Sequence, residues 1–459
     1  MKRFLWLTGI LALALAWTGC GGGSGGSSSG PQGNPNTPQP MFITGEDAPL
    51  PSVISFQVTL NSITLNNSSS SVTALSTATT VDFARLVGMR SLLGFNSVAP
   101  GTYTSATFTL ANPVIYYLNT ATNPPTVSQA ANASLSSSTV TVSFPTGSPL
   151  VVSSSGLAGL HMDFDLRKSL AVDGTGQITG VVNPTIYVTA VKPTDEEGQI
   201  TDFAGGLVSV NSGGNSFVMQ GPYGFQMTVD VNTSTQFNPG WSLSSMATPE
   251  FVAVEGTMQA DGSILASVVE VISTTQAFIS GRILAVNPGP QVTMFVAEQV
   301  PTITSLPVDS VQTIDLSQVA SDEYKVCFFE NWITQALFNA NSLVAGQRIF
   351  VGGTYSGSTF TPQMVSLRLE GVVGDLTGTV NVVSGNQGSF QLNNNFLLGY
   401  VLGAPLDVQT GNLTNFVNIN GLAGLQTAGQ SNLVVGGLIF KDLNTGNPQM
   451  WAGRVRVLP

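Results

Sequence analysis

Charged side chains are scarce in this chain of 459 residues. Asp, Glu, Lys and Arg make up 8% of it, against about 25% in an ordinary soluble domain, while hydrophobic residues make up 42%. Of the 14 basic residues, Lys2 and Arg3 precede Cys20, and all 25 acidic residues follow it. A chain that begins at Cys20 is therefore acidic and has no basic patch, which argues against nucleic acid as a partner.

Histidine and cysteine are scarcer still. The only histidine is His161, and the two cysteines are Cys20 and Cys327. A Ser-His-Asp triad would have to use His161, and one histidine with one spare cysteine cannot build the usual zinc sites. No P-loop is present, and no predicted strand leads into GxGxxG. We therefore expect His161 to be structural or exposed, Cys327 to be a buried core thiol, and the protein to have no cofactor.

The first twenty residues have the three parts of a secretory signal. Lys2 and Arg3 give a positive start, the run from Phe4 to Trp17 is apolar and uncharged, and small residues precede Cys20. Fourteen apolar residues fall short of the roughly 20 that a permanent membrane helix needs. Residues 1–19 are therefore predicted to be a cleaved signal peptide.

With Cys20 behind a small residue, this segment resembles a bacterial lipoprotein signal. The resemblance implies that the Cys20 sulfur carries a diacylglyceryl group and that the new N-terminus is acylated, with palmitate as an expected chain. Trp17 stands where the family has Leu, Val or Ile. Ordinary cleavage after Ala14 to Ala16 is the alternative, and it would leave Cys20 as a free thiol, which is a liability in an oxidising compartment.

Residues 20–40, rich in Gly, Ser and Pro, are predicted to be a tether. Two or more acyl chains give stable anchoring, so the membrane is the expected partner through the N-terminal lipid. Gly21 follows the cysteine, rather than the Asp that marks inner-membrane retention. The outer membrane of a bacterial envelope is therefore the expected location.

From Met41 onward the sequence predicts an all-β protein. In the stretch from Ile54 to Leu65 apolar and polar residues alternate, as in a half-buried strand, and Gly, Pro and Asn clusters separate similar stretches. Residues 41–195 are predicted to be an antiparallel β-sandwich. One short helix is predicted from Phe83 to Gly94, where apolar residues recur at spacings of three and four.

The features of residues 41–192 resemble, in their order, the bacterial family called domain of unknown function 4382. The matching pieces are TGEDAPL, VDFARL, APGTYTSATFTL, LHMDFDLRKSL and NPTIYVTAV. The resemblance implies no activity, because none is established for the family.

Residues 200–459 contain a threefold repeat. The opening strand-turn-strand begins at Gly206, Gly281 and Gly378, and the closing segment has a strand that is predicted to end at Gly256, Gly353 or Gly437. The units resemble the bacterial family called domain of unknown function 5666. Each is predicted to be a small barrel, OB-like by preference, with a small sandwich as the alternative. The predicted domains are 200–274, 275–370 and 371–459, and residues 321–341 are predicted to be an insertion capping the second barrel.

Two carboxylates are the best candidates for chemistry. Asp163 and Asp165 are two residues apart on a predicted strand and so share a face. Paired oxygens of this kind could bind Ca²⁺ or act as the acid and base of glycoside cleavage. Arg167 is predicted to continue that face, with Lys168 next to it, so a solvated or salt-bridged strand face is the preferred interpretation. Asp47 is predicted to cap a turn before Pro49.

Each repeat also contains one tryptophan: Trp241, Trp332 and Trp451. Exposed tryptophans would suit sugar binding, whereas buried ones would belong to the cores. We therefore expect a lipid-anchored envelope protein with a non-enzymatic binding or structural role, its domains strung out from the membrane towards an envelope protein or polysaccharide. The alternatives are a glycan-binding or adhesin-like module and a carboxylate-based glycoside hydrolase.

Overall fold

The computed structural model describes residues 37–457, except for residues 49, 51, 120, 123–125, 155, 175–176, 329–337, 394–404 and 429–432. The predicted signal peptide, Cys20 and Trp332 lie outside the described residues. The last part of the predicted tether does not, because Gln39 and Pro40 already belong to the first strand. As predicted, the described chain is almost entirely β-structure.

The N-terminal part is built from fifteen strands. They are β1 Gln39–Ala48, β2 Val53–Asn66, β3 Ser71–Leu75, β4 Thr79–Asp82, β5 Ser91–Val98, β6 Gly101–Tyr103, β7 Ser105–Asn119, β8 Thr126–Gln129, β9 Ser134–Leu135, β10 Thr139–Ser143, β11 Leu150–Val152, β12 Ala158–Asp165, β13 Leu170–Val172, β14 Ile178–Val182 and β15 Ile186–Val191. A four-residue helix, α1 (Leu166–Ser169), follows β12.

Two larger sheets enclose one hydrophobic core. One has the order β15-β12-β1-β5, and the other has the order β10-β7-β2-β3, with β4 also on β2 and β8 on β7. The alternation read from the sequence explains β2, where Phe56, Val58 and Leu60 are buried. A bulge after Leu60 then shifts the phase, so that Ile63 and Leu65 also face inward. The sandwich is not purely antiparallel, since β1 and β12 run parallel.

The helix predicted from Phe83 to Gly94 is wrong beyond its first turn. Only Phe83–Arg85 form a 3-10 turn, and β5 starts at Ser91. Gly88 has φ +65, a left-handed conformation that ends a helix, and the apolar residues after it pair with β1 instead.

The repeat region contains seventeen further strands. They are β16 Gln199–Asn211, β17 Ser216–Gln220, β18 Gln226–Asp230, β19 Gln236–Phe237, β20 Phe251–Met258, β21 Ile264–Ser273, β22 Ala277–Asn287, β23 Gln291–Val300, β24 Ser310–Asp315, β25 Tyr324–Val326, β26 Arg348–Ser356, β27 Thr359–Arg368, β28 Glu370–Ser384, β29 Gln387–Asn393, β30 Leu406–Val417, β31 Leu433–Lys441 and β32 Pro448–Val457. A second helix, α2 (Gly421–Ala428), was not predicted and lies between β30 and β31. The remaining 3-10 turns are Glu196–Gly198, Ser212–Gly214, Leu243–Ser245, Ser321–Glu323 and Ala340–Ser342.

The three repeats use the same strand order. Strands β28-β29-β30-β32-β31 form a closed five-stranded barrel, and β18-β17-β16-β20-β21 close in the same order through a parallel contact between β18 and β21. This is a five-stranded arrangement of the OB type. In the second repeat β24 and β27 occupy the corresponding places, but no pairing joins them in the described chain. A cavity of about 340 Å³ lies there instead, lined by residues that include Ile314 and Phe360.

Three repeat glycines mark bulges rather than strand ends. The pairing register shifts at Gly256, Gly353 and Gly437, and each strand continues past its glycine. A Cβ at any of the three would collide with a carbonyl oxygen of the neighbouring strand. The recurring glycine is therefore a requirement of close strand packing.

The domains are not strung out, because residues Asn36–Pro459 form one compact unit. Ion pairs join its parts, and seven of the eight arginines that follow Cys20 contribute to them. The N-terminal part contacts each repeat through a buried apolar contact or an ion pair. The groups concerned are Phe42 with the first-repeat core, Ile54 and Leu118 with Phe295, Ala48 and Val87 with Val373 and Val434, and Arg85 with Glu298.

Candidate functional site

The candidate site lies on one face of the sheet that β15, β12 and β1 form. Because alternate side chains of a strand share a face, His161, Asp163 and Asp165 of β12 project to the same side. The register pairs Asp163 with Glu46 of β1 and with Tyr187 of β15. The intervening residues of β12 belong to the sandwich core on the other side.

A cavity of about 430 Å³ opens on this face. We call it the β12 pocket. Its lining combines charged, hydroxyl-bearing and apolar side chains from the sandwich with Glu197 and, from the last strand of the third barrel, Arg456. The lining residues are Ala48, Val142, Ser143, Pro145, His161, Asp163, Asp165, Arg167, Lys168, Tyr187, Val188, Thr189, Glu197 and Arg456. The pocket is therefore assembled mainly by the sandwich and completed by the last strand of the third barrel.

Behind the pocket lies a buried ionic cluster around Glu46. Arg456 Nη1 is 3.0 Å from Glu46 Oε2, and Arg454 Nη1 is 3.3 Å from Glu46 Oε1. Arg456 Nη2 also lies 4.0 Å from Asp163 Oδ2, and Arg454 Nε lies 2.6 Å from Glu196 Oε1. Two arginines of β32 thus neutralise acids of the sandwich, and they fix the third barrel against it.

His161 is buried beside this cluster, with 4% of its surface exposed. The Thr44 hydroxyl donates to the Glu197 carbonyl oxygen at 2.9 Å and lies 3.1 Å from His161 Nδ1. A hydroxyl has one hydrogen, so both contacts are satisfied only if Nδ1 carries a proton and donates to Thr44 Oγ1. In the neutral ring, Nε2 then faces Glu46 Oε2 at 3.7 Å without a proton.

Burial gives the cluster unusual proton affinities. Burial lowers the pKa of His161 to about 4, although the Glu46 charge acts in the opposite direction. Burial, followed by the nearby Glu46 charge, raises the pKa of Asp163 to about 7. The pKa of Glu46 falls to about 2: burial alone would raise it, but the charges of Arg454 and Arg456 together outweigh burial. Near neutral pH, then, His161 is neutral and Glu46 is charged.

Asp165 has a structural role. Its side chain accepts a hydrogen bond from the Lys168 backbone N–H and caps α1. Lys168 Nζ lies 3.2 Å from Asp165 Oδ2, and Arg167 Nε lies 3.8 Å from Oδ1. Arg167 does not continue the strand face as predicted, because β12 ends at Asp165 and α1 begins. Asp163 and Asp165 do share the pocket, and both are buried rather than solvated.

Asp47 lies on the other side of the same sheet. It belongs to β1 and is buried, so the predicted turn cap before Pro49 is wrong. Burial, with a further contribution from the charge of Asp163, raises the pKa of Asp47 well above its ordinary value. Burial therefore favours the protonated form of the Asp47 carboxyl.

A second buried charge cluster joins the first two repeats. Arg368 pairs with Asp202 and lies 2.7 Å from Glu270 Oε2, and Arg348 lies 3.0 Å from Asp202. Cys327 is fully buried, as predicted, with its Sγ 3.9 Å from Glu270 Oε2. Because Arg348 and Arg368 belong to the second repeat and Asp202 and Glu270 to the first, this cluster stabilises the interface between the two repeats.

The described tryptophans are not an exposed sugar-binding patch. Trp241 is partly buried against the first-repeat core, and Trp451 packs against the second-repeat core, with its ring edge towards Phe440 at 6.2 Å. The aromatic side chain at the β12 pocket is Tyr187, which is 46% exposed. Tyr187 was not among the candidates read from the sequence. Apolar and polar residues alternate from Pro184 to Val191, however, and this pattern predicts the face of the strand on which Tyr187 lies.

Sequence reasoning also missed Glu46, Arg454 and Arg456, which no local motif brings to His161. Within the described ranges, no group of three or more His, Cys, Asp or Glu side chains could hold a metal ion. None of the described helices is long and apolar enough to cross a membrane.

The comparison with protein families concerns the part of the chain that carries most of this site. Residues 44–179 match the model of the family described as Domain of unknown function (DUF4382). The match includes Glu46, His161, Asp163 and Asp165, whereas Tyr187 and Arg456 lie outside it. No curated protein matches the chain.

Proposed function

We propose that the protein is a lipid-anchored bacterial envelope protein with a non-enzymatic binding role, and that the β12 pocket is its ligand site. One observation carries the binding role: a cavity of about 430 Å³ lies where the sandwich meets the third barrel, and ion pairs already hold several of its charged side chains. Ligand sites are typically concave and lie at domain junctions, with a few placed polar groups among apolar ones. The anchor is supported by the sequence around Cys20.

The anchor is tested by localisation. Cys20→Ser should release the protein from membranes into the soluble envelope fraction and abolish labelling by radioactive palmitate. Cys327→Ser is the matched control, since Cys327 is buried in the second repeat, and it should leave the protein in the membrane fraction. A Cys20→Ser protein that still sediments with membranes would contradict the lipid anchor.

The binding role is tested with the lipid-free Cys20→Ser chain. Binding to a panel of envelope and environmental polysaccharides should be measured for this chain and for the same chain with Thr189→Trp, which places an indole in the pocket. We expect binding by the parent and its loss in the Thr189→Trp chain. Equal binding by both would place the ligand elsewhere and contradict the site.

A second candidate function is carboxylate-based glycoside hydrolysis. It is favoured by the different environments of the two pocket carboxyls, since burial raises the pKa of Asp163 to about 7 while Asp165 lies against Arg167 and Lys168. Asp165 also caps α1, which ties it to a structural task. We therefore expect no release of reducing ends from the polysaccharides that bind. Release that Asp163→Asn abolishes would establish the hydrolase instead.

A further inference from the structure

The charges around the β12 pocket compensate one another. Its three cations are Arg167, Lys168 and Arg456, and each already faces carboxylates: the first two meet Asp165, and Arg456 meets Glu46 and Asp163. Glu197 adds an acid at the wall. Burial alone would lower the pKa of Arg456, but the charge of Glu197, like those of Glu46 and Asp163, raises it. Neither an anionic nor a cationic ligand would find an uncompensated partner, and a charged ligand would still lose its hydration. The pocket therefore favours a neutral ligand.

The lining is nevertheless not purely apolar. Val142 and Pro145 give patches of hydrocarbon, and Ser143 and Thr189 supply hydroxyl groups that both donate and accept hydrogen bonds. A ligand that satisfies this mixture has hydroxyl groups around its edge and C–H groups on its faces. Sugars have this pattern.

Tyr187 supplies a flat surface at the same place. Its hydroxyl lies 2.7 Å from Lys168 Nζ, and the same ammonium lies 5.0 Å from the ring centroid. Because Lys168 is also held by Asp165, the tyrosine ring is fixed before any ligand arrives. An exposed and fixed aromatic ring suits the C–H face of a sugar.

We propose that the β12 pocket binds a neutral saccharide, with a sugar ring against Tyr187 and its hydroxyl groups bonded to Ser143, Thr189 and the paired charges of the wall. This inference rests on the proposed binding function and names its ligand class. It also assigns Tyr187 as the main determinant of affinity.

The test uses the lipid-free full chain and three sets of probes. These are neutral disaccharides of gluco, galacto and manno configuration, the corresponding uronic acids, and the corresponding amino sugars. Binding is measured by saturation-transfer NMR and titration calorimetry for the parent, Tyr187→Phe and Tyr187→Ala. We expect a neutral disaccharide to bind, Tyr187→Phe to keep the affinity within about threefold, and Tyr187→Ala to weaken it about tenfold or more.

Tyr355→Ala, in the second repeat, is the control for loss of a partly buried tyrosine and should leave binding unchanged. If only uronic acids or only amino sugars bind, and Tyr187→Ala weakens them, the neutral-saccharide inference is overturned while the pocket remains a ligand site. If a neutral disaccharide binds equally to the parent and to Tyr187→Ala, the role of Tyr187 is wrong. If no probe binds and Thr189→Trp also leaves polysaccharide binding unchanged, both the inference and the proposed site fail.

Discussion

Arg282 and Glu370 meet through two parallel hydrogen bonds: Arg282 Nε donates to Glu370 Oε2 at 2.7 Å, and Nη2 donates to Oε1 at 2.6 Å. Arg282 belongs to the first strand of the second repeat, and Glu370 opens the first strand of the third. Both are buried. The pair is one of several by which arginines join parts of the chain that are distant in sequence.

Breaking this pair on one side should be costly. Arg282→Met leaves the Glu370 carboxylate buried without its bidentate partner, and we expect it to lower the free energy of unfolding by about 3–5 kcal/mol. The double change to Arg282→Met and Glu370→Met should cost less, because no charge is left behind. Urea unfolding of Arg282→Met, Glu370→Met, the double variant and the parent measures the coupling between the two side chains.

Lys325→Met is the matched control, since its pair with Glu323 is about half exposed and should contribute under about 1 kcal/mol. If Arg282→Met is no less stable than this control, the Arg282–Glu370 pair is not a buried ion pair in solution.

Asp163→Asn should change the pH dependence of stability. The folded pKa of about 7 lies above the ordinary value of 3.8, so the folded protein holds a proton that the unfolded chain has lost. This carboxyl therefore lowers stability progressively as the pH rises from about 4 to 7, by up to about 4 kcal/mol. Asp163→Asn removes the cost, and its Tm relative to the parent should rise between pH 4 and pH 8. The control is Asp322→Asn, which changes an exposed carboxyl, and its Tm difference from the parent should not vary with pH. If the Tm difference of Asp163→Asn is equally constant, the pKa of Asp163 is not raised.

His161 should titrate far below an ordinary histidine. Its folded pKa of about 4 lies below the ordinary 6.5, so its contribution to stability is lost as the pH falls from about 6.5 to 4. Since it is the only histidine, ¹⁵N NMR of the imidazole reads it without overlap. We expect a neutral ring protonated at Nδ1 at pH 6 and a midpoint near 4. A midpoint near 6.5 would mean that the ring is not buried against Arg456.

Gly371→Ala should loosen the contact between the third barrel and the sandwich. A Cβ at Gly371 would collide with the backbone oxygen and the side chain of Val87. We expect a loss of about 1–3 kcal/mol in urea unfolding, because the barrel must shift. At Gly436, in the same contact, the nearest atom would be the Gly88 oxygen at 3.7 Å, so Gly436→Ala should be close to neutral. Equal effects of the two changes would show that the close approach is not maintained in solution.

Cys327 should react with thiol reagents only after unfolding. In the Cys20→Ser chain it is the single thiol, and it is fully buried. Its labelling rate in rising urea should therefore follow the loss of β-structure seen by circular dichroism. Rapid labelling in native buffer would contradict its burial.

Much of the architecture follows from the sequence because local patterns determine it. Alternation predicts β2, and the recurring glycines predict three similar units, since close strand packing needs a glycine at each bulge. The error at Phe83–Gly94 has a definite cause: apolar spacing suits a helix there, but Gly88 takes a left-handed conformation and β5 pairs with β1.

The candidate site is less accessible to sequence reasoning. The shared face of Asp163 and Asp165 follows from strand periodicity. Their partner Arg456 comes from the other end of the chain, and no local pattern specifies which distant charges meet. Burial then changes what those residues can do, because a carboxyl that loses water without a full counter-charge keeps its proton.

The arginine ion pairs that connect the sandwich and the repeats have a practical consequence for the study of any single domain. Excising the sandwich would deprive Glu46 of Arg454 and Arg456, and excising the first repeat would strip Asp202 of both its guanidinium partners. Each fragment would expose to water an interface whose acidic side chains have lost their arginine partners. Biochemical work should therefore begin with the span from Asn36 to Pro459, in which every such neighbour is retained.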